Sequence, residues 1–239
     1  DLTGDQNTLM GYDAGVQITT GSDNTAVGVY ALDATTTGSY NTAVGRQALS
    51  ANTTGLSNDA FGYYALASLT TAEYNTALGA RALQTNNGDS NVAVGRDSLR
   101  LNSTGQYNVA VGPFTLDANT TASYNTAMGY AALGANTTGA ANVAIGYASL
   151  QANTTANDNT AVGVNALHAN TIGSQNTAVG KDALDNNTTA NDNTAIGAFA
   201  LGVLDGGNGG NVAVGGYAGD ALTTGNTNTA VGHAALSAA

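Results

Sequence analysis

The chain has 239 residues, of which only 9% are charged; it holds 32 glycines, one proline and neither cysteine nor tryptophan. A formal net charge of −11 with five Lys plus Arg excludes the basic footprint that nucleic acid or anionic lipid demands. Hydrophobic residues at 42% exclude the low-hydropathy composition of disorder, and the lack of cysteine excludes disulfides and thiolate metal sites. No apolar run reaches the roughly eighteen residues needed to span a bilayer, and no signal peptide stands at Asp1.

In chain order the sequence is a list of short repeats, and repeats decide the fold before anything else does. The first opens at Asn7 and is atypical at Leu9 and Gly15. The next three open at Asn24, Asn41 and Asn58; Asn24–Gly28 and Asn41–Gly45 both read Asn-Thr-Ala-Val-Gly. Asn75 opens a unit of sixteen residues. Regular units follow from Asn91, Asn108, Asn125, Asn142, Asn159 and Asn176. Asn193 opens a unit of eighteen residues containing Gly206–Gly210, which is expected to bulge, and Asn211 and Asn228 open the last two. All other spacings are seventeen. No unit at either end has the polar outer face of a cap, so capping is expected from flanking sequence.

Aligned as columns, the fourteen repeats carry Asn in the first column and Gly in the fifth without exception. The second is Thr or Val in thirteen, the third Ala in thirteen, the fourth always apolar, and the ninth Leu in twelve. Seventeen residues are too few for a helical-pair repeat but suit one coil of a solenoid. Thr and Val favour strand in columns two to four, and the column-five Gly permits a corner. A second short segment carries Ala-Leu pairs such as Ala48 and Leu49, and Thr-Thr-Gly turns the chain into the next coil. The expectation is an all-β parallel β-solenoid forming a single repeat domain over residues 1–239. Asn24, Asn41 and Asn142 are candidates for a side-chain ladder between coils, or for a left-handed turn position; Gly28, Gly45 and Gly146 are the corresponding corners. Asp59 is the lone charge in columns two to four. One face of that strand can fill the lumen, and an uncharged outer face predicts an oligomer.

The columns resemble the head repeats of trimeric autotransporter adhesins, the YadA-like head, whose Asn-Ser-Val-Ala-Ile-Gly motif shares Val-Ala-Ile-Gly with Asn142–Gly146. They also resemble repeats in phage tail fibres and in bacterial surface proteins that end in a chaperone domain. The resemblance covers essentially the whole chain, although the unit is longer and has an Asn-Thr-Thr-Gly corner. It implies a left-handed parallel β-roll and a side-by-side homotrimer.

Chemistry has few candidates. His168 and His233 lie in unrelated columns with no repeated acid and serine beside them, so no catalytic residue and no cofactor are expected. Asn157–Asn159, Asn191–Asn193 and the Gly206–Gly210 insertion offer oxygens to calcium, but not in a pattern repeated turn after turn, so no metal site is expected. Tyrosines are the better binding candidates: Tyr40, Tyr74, Tyr107 and Tyr124 precede the repeat Asn, and Tyr63, Tyr130 and Tyr147 follow the Gly. Exposed aromatic rows anchor proteins or glycans, and the alternative is that they cover the coil edge. Sequons at Asn52, Asn102, Asn119, Asn136, Asn153 and Asn187 arise from the repeat itself.

The expected function is therefore an extracellular, non-enzymatic fibre or adhesin head on a bacterial surface or a phage particle. Its expected partners are copies of itself and a surface protein, matrix protein or glycan, without nucleic acid and without membrane insertion by this segment. The alternatives are a filament subunit that stacks end to end and an ice-binding solenoid using rows such as Thr53-Thr54, Thr120-Thr121, Thr137-Thr138 and Thr154-Thr155.

Overall fold

The computed structural model describes residues 4–237, and among these there are strands and turns but no helix. The chain divides into two compact units, Asp1–Ala122 and Ser123–Ala239. Each is a parallel β-solenoid with one three-residue strand per repeat.

The first unit stacks β1 (Thr8–Met10), β2 (Thr25–Val27), β3 (Thr42–Val44), β4 (Asp59–Phe61), β5 (Thr76–Leu78), β6 (Val92–Val94) and β7 (Val109–Val111). Every neighbouring pair is parallel and in register, so that Thr25, Ala26 and Val27 face Thr42, Ala43 and Val44. The sixteen-residue repeat keeps this register, pairing Thr76 with Val92. Its missing residue is taken out of the corner, where Asn86 Nδ2 donates to Gly88 O at 2.7 Å, two residues on instead of the usual three.

The second unit stacks β8 (Thr126–Met128), β9 (Val143–Ile145), β10 (Thr160–Val162), β11 (Thr177–Val179), β12 (Thr194–Ile196), β13 (Val212–Val214) and β14 (Thr229–Val231). These strands are parallel and in register as well. The extra residue of the eighteen-residue repeat is absorbed by exposed Gly207 and Asn208. Gly209 then returns to a parallel bridge with Asn191. A Cβ at Gly209 would lie 1.8 Å from Asn191 O, so this return requires glycine.

Alternation along each strand decides what is inside. The column-three Ala is fully buried from Ala26 to Ala213, while columns two and four point outward. The column-nine Leu residues from Leu32 to Leu201 fill the rest of the lumen at 0% exposure. A side chain as small as Ala on the strand lets the opposite wall approach, and Leu then closes the gap.

The Ala-Leu segment is a turn, and its geometry is unusual. In the coil from Asn41, three non-glycine residues are left-handed: Gln47 (φ 57°), Leu49 (φ 51°) and Ser57 (φ 54°). The same columns are left-handed through both units. Left-handed geometry costs an L-residue about 1–2 kcal/mol. Here each such residue is held by a bond to a neighbouring coil: Gln47 N–H to Val29 O at 2.9 Å, Leu49 N–H to Ala65 O at 3.0 Å, and Ser57 N–H to Ser39 O at 3.1 Å. Full burial of a Leu side chain contributes about 1.5–3 kcal/mol, which offsets the strain at that column. Gly45 is different in kind. With φ 137°, its Cβ would stand 2.6 Å from Gly62 O, so this column has no room for a side chain.

Candidate binding face and its tyrosine rims

Two buried ladders and one outer face emerge from the coil. In the first ladder, Asn41 N–H and Nδ2 donate to Asn24 Oδ1 at 3.0 and 3.2 Å, and Asn41 Nδ2 donates to Gly55 O at 2.9 Å. Asn58 repeats the pattern onto Asn41. In the second unit, Asn142 Oδ1 accepts from Asn159 N–H at 3.0 Å and Asn142 Nδ2 donates to Ala156 O at 2.8 Å. These asparagines are not left-handed; the residue before each one is. Gly28 and Gly146 occupy the corners four residues on, at φ 140° and 137°.

The second ladder runs through the Asn-Thr-Thr corner. Asn102 Nδ2 donates to Asn86 Oδ1 and Asn119 Nδ2 to Asn102 Oδ1 in the first unit; Asn153, Asn170 and Asn187 continue the same pattern in the second. The asparagines of the Asn-Thr-Thr and Asn-Ser-Thr corners, Asn52, Asn102, Asn119, Asn136, Asn153 and Asn187, are all buried here at 0% exposure. Sequence reasoning missed this ladder. Its signal was present: an Asn recurring eleven residues after the repeat Asn in most units. The first Thr of each corner is also engaged, with Thr53 Oγ1 donating to Thr70 O at 3.0 Å and Thr154 Oγ1 to Thr171 O at 3.2 Å. Only the second Thr of each pair, at Thr54, Thr121, Thr138 and Thr155, is exposed.

The outer face is built by columns two and four. In the first unit its fourth column runs Met10, Val27, Val44, Phe61, Leu78, Val94, Val111; in the second, Met128, Ile145, Val162, Val179, Ile196, Val214, Val231. Phe61, Leu78, Met128, Ile145 and Ile196 are each exposed by more than a third. An array of apolar side chains on consecutive rungs, about 4.8 Å apart, is a continuous apolar stripe in each unit. Asp59, half-exposed on β4, interrupts the neighbouring column once.

Tyrosines stand on both rims of this stripe. Tyr40, Tyr74 and Tyr107 in the first unit, and Tyr124 in the second, precede the strand and are 51% to 64% exposed. They are themselves left-handed, at φ 57° to 64°, a conformation that Asn or Gly adopts at lower cost. Tyr63, Tyr130 and Tyr147 follow the strand on the other rim. Tyr130 and Tyr147 stack at 5.5 Å between ring centres, Tyr63 meets Tyr64 edge-on, and Arg46 lies 5.9 Å over the Tyr63 ring.

Of the remaining candidates, His233 shares the column of Tyr63, Tyr130 and Tyr147, and His168 lies in another. His168 Nε2 is 3.1 Å from Gln151 Oε1 and its Nδ1 is 3.7 Å from Asp185 Oδ1. Burial pushes the Asp185 carboxyl above its ordinary value, and the nearby His168 opposes this. His233 packs edge-on near Tyr217. Of the candidate calcium oxygens, Asn157 Oδ1 accepts from Ala140 N–H and Asn191 Oδ1 from Ser174 N–H, both at 2.7 Å. Among the described residues no group of three or more His, Cys, Asp or Glu is placed to hold a metal ion. An open groove of about 390 Å³ in the second unit, lined by Asp182, Asp185, Asp220, Phe199 and Tyr217, was not foreseen either.

Together these features define a β-solenoid repeat protein with an apolar, tyrosine-rimmed outer face. No family model, curated protein or solved structure matches the chain.

Proposed function

We propose that the protein is the head or shaft of an extracellular fibre, non-enzymatic, in which chains associate side by side through the outer strand face and attach to a surface protein or glycan. The observation that carries this reading is the outward apolar column, Phe61 and Leu78 above all. A stripe of this kind is too extensive for a monomer's ordinary surface, and a second copy of the same stripe matches its rung spacing. Three chains per fibre, a left-handed coil and display on a bacterial surface or phage particle rest on the resemblance to YadA-like heads and tail-fibre repeats. The tyrosines support the attachment role: bulky residues are kept at left-handed positions where they are conformationally unfavourable, which fits side chains retained for contact. Identical sites repeated along several chains favour avidity over a tight single contact.

The test is solution mass by light scattering after size exclusion. A mass near three times 23.5 kDa is expected. A monomer would refute side-by-side association and bring forward ice binding by a single flat face, to be read as thermal hysteresis.

A further inference from the structure

The chain has five cationic side chains, and three of them converge on one aspartate. Asp97 is 2% exposed. Arg81 Nη2 reaches its Oδ2 at 2.7 Å, Arg96 Nε reaches the same oxygen at 3.0 Å, and Arg100 Nε lies 3.7 Å from Oδ1. One buried carboxylate needs one compensating charge. Two further guanidiniums have been brought onto neighbouring coils, against their mutual repulsion. Asp117 is also close enough to feel Arg100: burial pushes its carboxyl up, and Arg100 opposes the rise.

The cluster is also held still. Arg96 uses Nε on Asp97 and lays its guanidinium 5.3 Å over the Phe114 ring, yet its side chain remains 62% exposed. Its Nη end therefore faces solvent in a fixed orientation. Arg side chains ordinarily lose considerable rotamer freedom on binding a ligand; here Asp97 and Phe114 have already removed it. Exposed Pro113 stands one rung away, since Phe114 N–H donates to Arg96 O at 3.0 Å.

We propose that Arg81, Arg96 and Arg100 form a recognition site for the single oxyanion, carboxylate or sulfate, of an acidic sugar. The guanidinium fork matches such an anion bidentately. Pro113 offers an apolar wall to the sugar ring about one rung spacing, roughly 4.8 Å, from the anion site. The chain's net charge of −11 repels a polyanion at long range, so the ligand is a short or terminal acidic saccharide and not a nucleic acid. This deepens the attachment role but does not rest on the oligomeric state, because all of these residues lie within the first unit.

The full chain is immobilised, and binding of three monovalent methyl glycosides is compared: a glucuronide, a 6-sulfogalactoside and a neutral glucoside. Binding of one or both acidic sugars, absent for the glucoside and weakened at least about tenfold in Arg96→Gln, is expected. Which acidic sugar responds tells carboxylate from sulfate. Lys181→Gln, a cation of the second unit, should leave binding unchanged, and circular dichroism should show both variants folded. No binding at low salt, equal binding of the glucoside, or an equal loss in Lys181→Gln would overturn the site. Binding of a glutamate-rich peptide without either sugar would overturn the saccharide assignment. Solution mass is read separately, so failure here and failure of side-by-side association are distinguishable.

Discussion

Replacing Asn41 by Ala tests whether the buried ladder holds the coil together. Asn41 Oδ1 accepts from Asn58 N–H at 3.0 Å and from Asn58 Nδ2 at 3.2 Å. After the substitution Asn58 Nδ2 keeps its bond to Ala72 O, and Gly55 O keeps a longer one from Asn52 Nδ2 at 3.3 Å. Asn58 N–H is left with nothing. A buried donor without a partner costs about 1–3 kcal/mol, and the lost Nδ2 bonds to Asn24 and Gly55 cost about 0.5–1.5 kcal/mol each. The sum is about 2–6 kcal/mol, a large part of the roughly 5–15 kcal/mol that stabilises a domain. Urea denaturation followed by circular dichroism measures it. Native-state hydrogen exchange should place the loss in the coils on either side of Asn41, because a solenoid coil contacts only its neighbours. A loss below about 1 kcal/mol, or one spread evenly over the chain, would show that the ladder is incidental to backbone stacking.

Three further outcomes follow from the same geometry. Gly45→Ala should cost more than about 3 kcal/mol, because its Cβ would meet Gly62 O and C at 2.6 and 2.7 Å with φ at 137°; near-normal urea stability would contradict this. Burial raises the Asp33 carboxyl, opposed by its backbone partners at Asp33 and Ala34, with Asp13 adding to the rise. Because the folded state binds that proton more tightly, its stabilising contribution is present at low pH and is lost as pH rises through the raised value. Asp33→Asn should therefore raise stability near pH 7 and narrow the difference between urea midpoints at about pH 4 and about pH 7. Paired substitution of the outward Phe61 and Leu78 by Glu should leave the circular dichroism of the coil intact while reducing the solution mass to that of one chain; an unchanged oligomer would place the interface elsewhere.

The coil was legible in the sequence because its constraints repeat. Asn in column one and Gly in column five are invariant for reasons visible in a single unit, a buried ladder and a corner with no room for Cβ. The alternation of columns two, three and four predicted two faces, and the structure assigns Ala to the lumen. Less legible was the Ala-Leu segment. Leu is a poor choice for a left-handed position by local preference, so nothing in Leu49 alone announces φ 51°; neighbouring-coil bonds and lumen packing override the preference. The corner asparagines were read as sequons because Asn52 through Asn187 carry a familiar pattern, although their recurrence with a fixed offset from the repeat Asn was itself the sign of burial. The arginine cluster belongs to no single column. Arg81 and Asp97 share a column on successive coils while Arg96 and Arg100 come from two others, so only stacking brings them together.

That contrast separates what the repeat does from where specificity can reside. Columns one, three, five and nine are tied to ladders, lumen and corners, and a substitution in them costs stability before it alters any contact with a partner. Columns two, four and six and the residue before the Asn point outward. Within them, variation such as Asp59, Phe61, Tyr74 or Arg96 leaves the coil's backbone bonds untouched. Two kinds of recognition can then coexist on one fold. Features that recur from coil to coil, the apolar stripe and the tyrosine rims, suit extended contact whose strength grows with the number of coils engaged. A feature that occurs once, the three arginines pinned on Asp97, suits a single small ligand whose binding does not depend on length. Removing whole coils away from Asn75–Ala122 should accordingly weaken self-association while leaving binding of an acidic sugar in place. Joint loss of both on such a deletion would mean that the arginine cluster needs the assembled fibre.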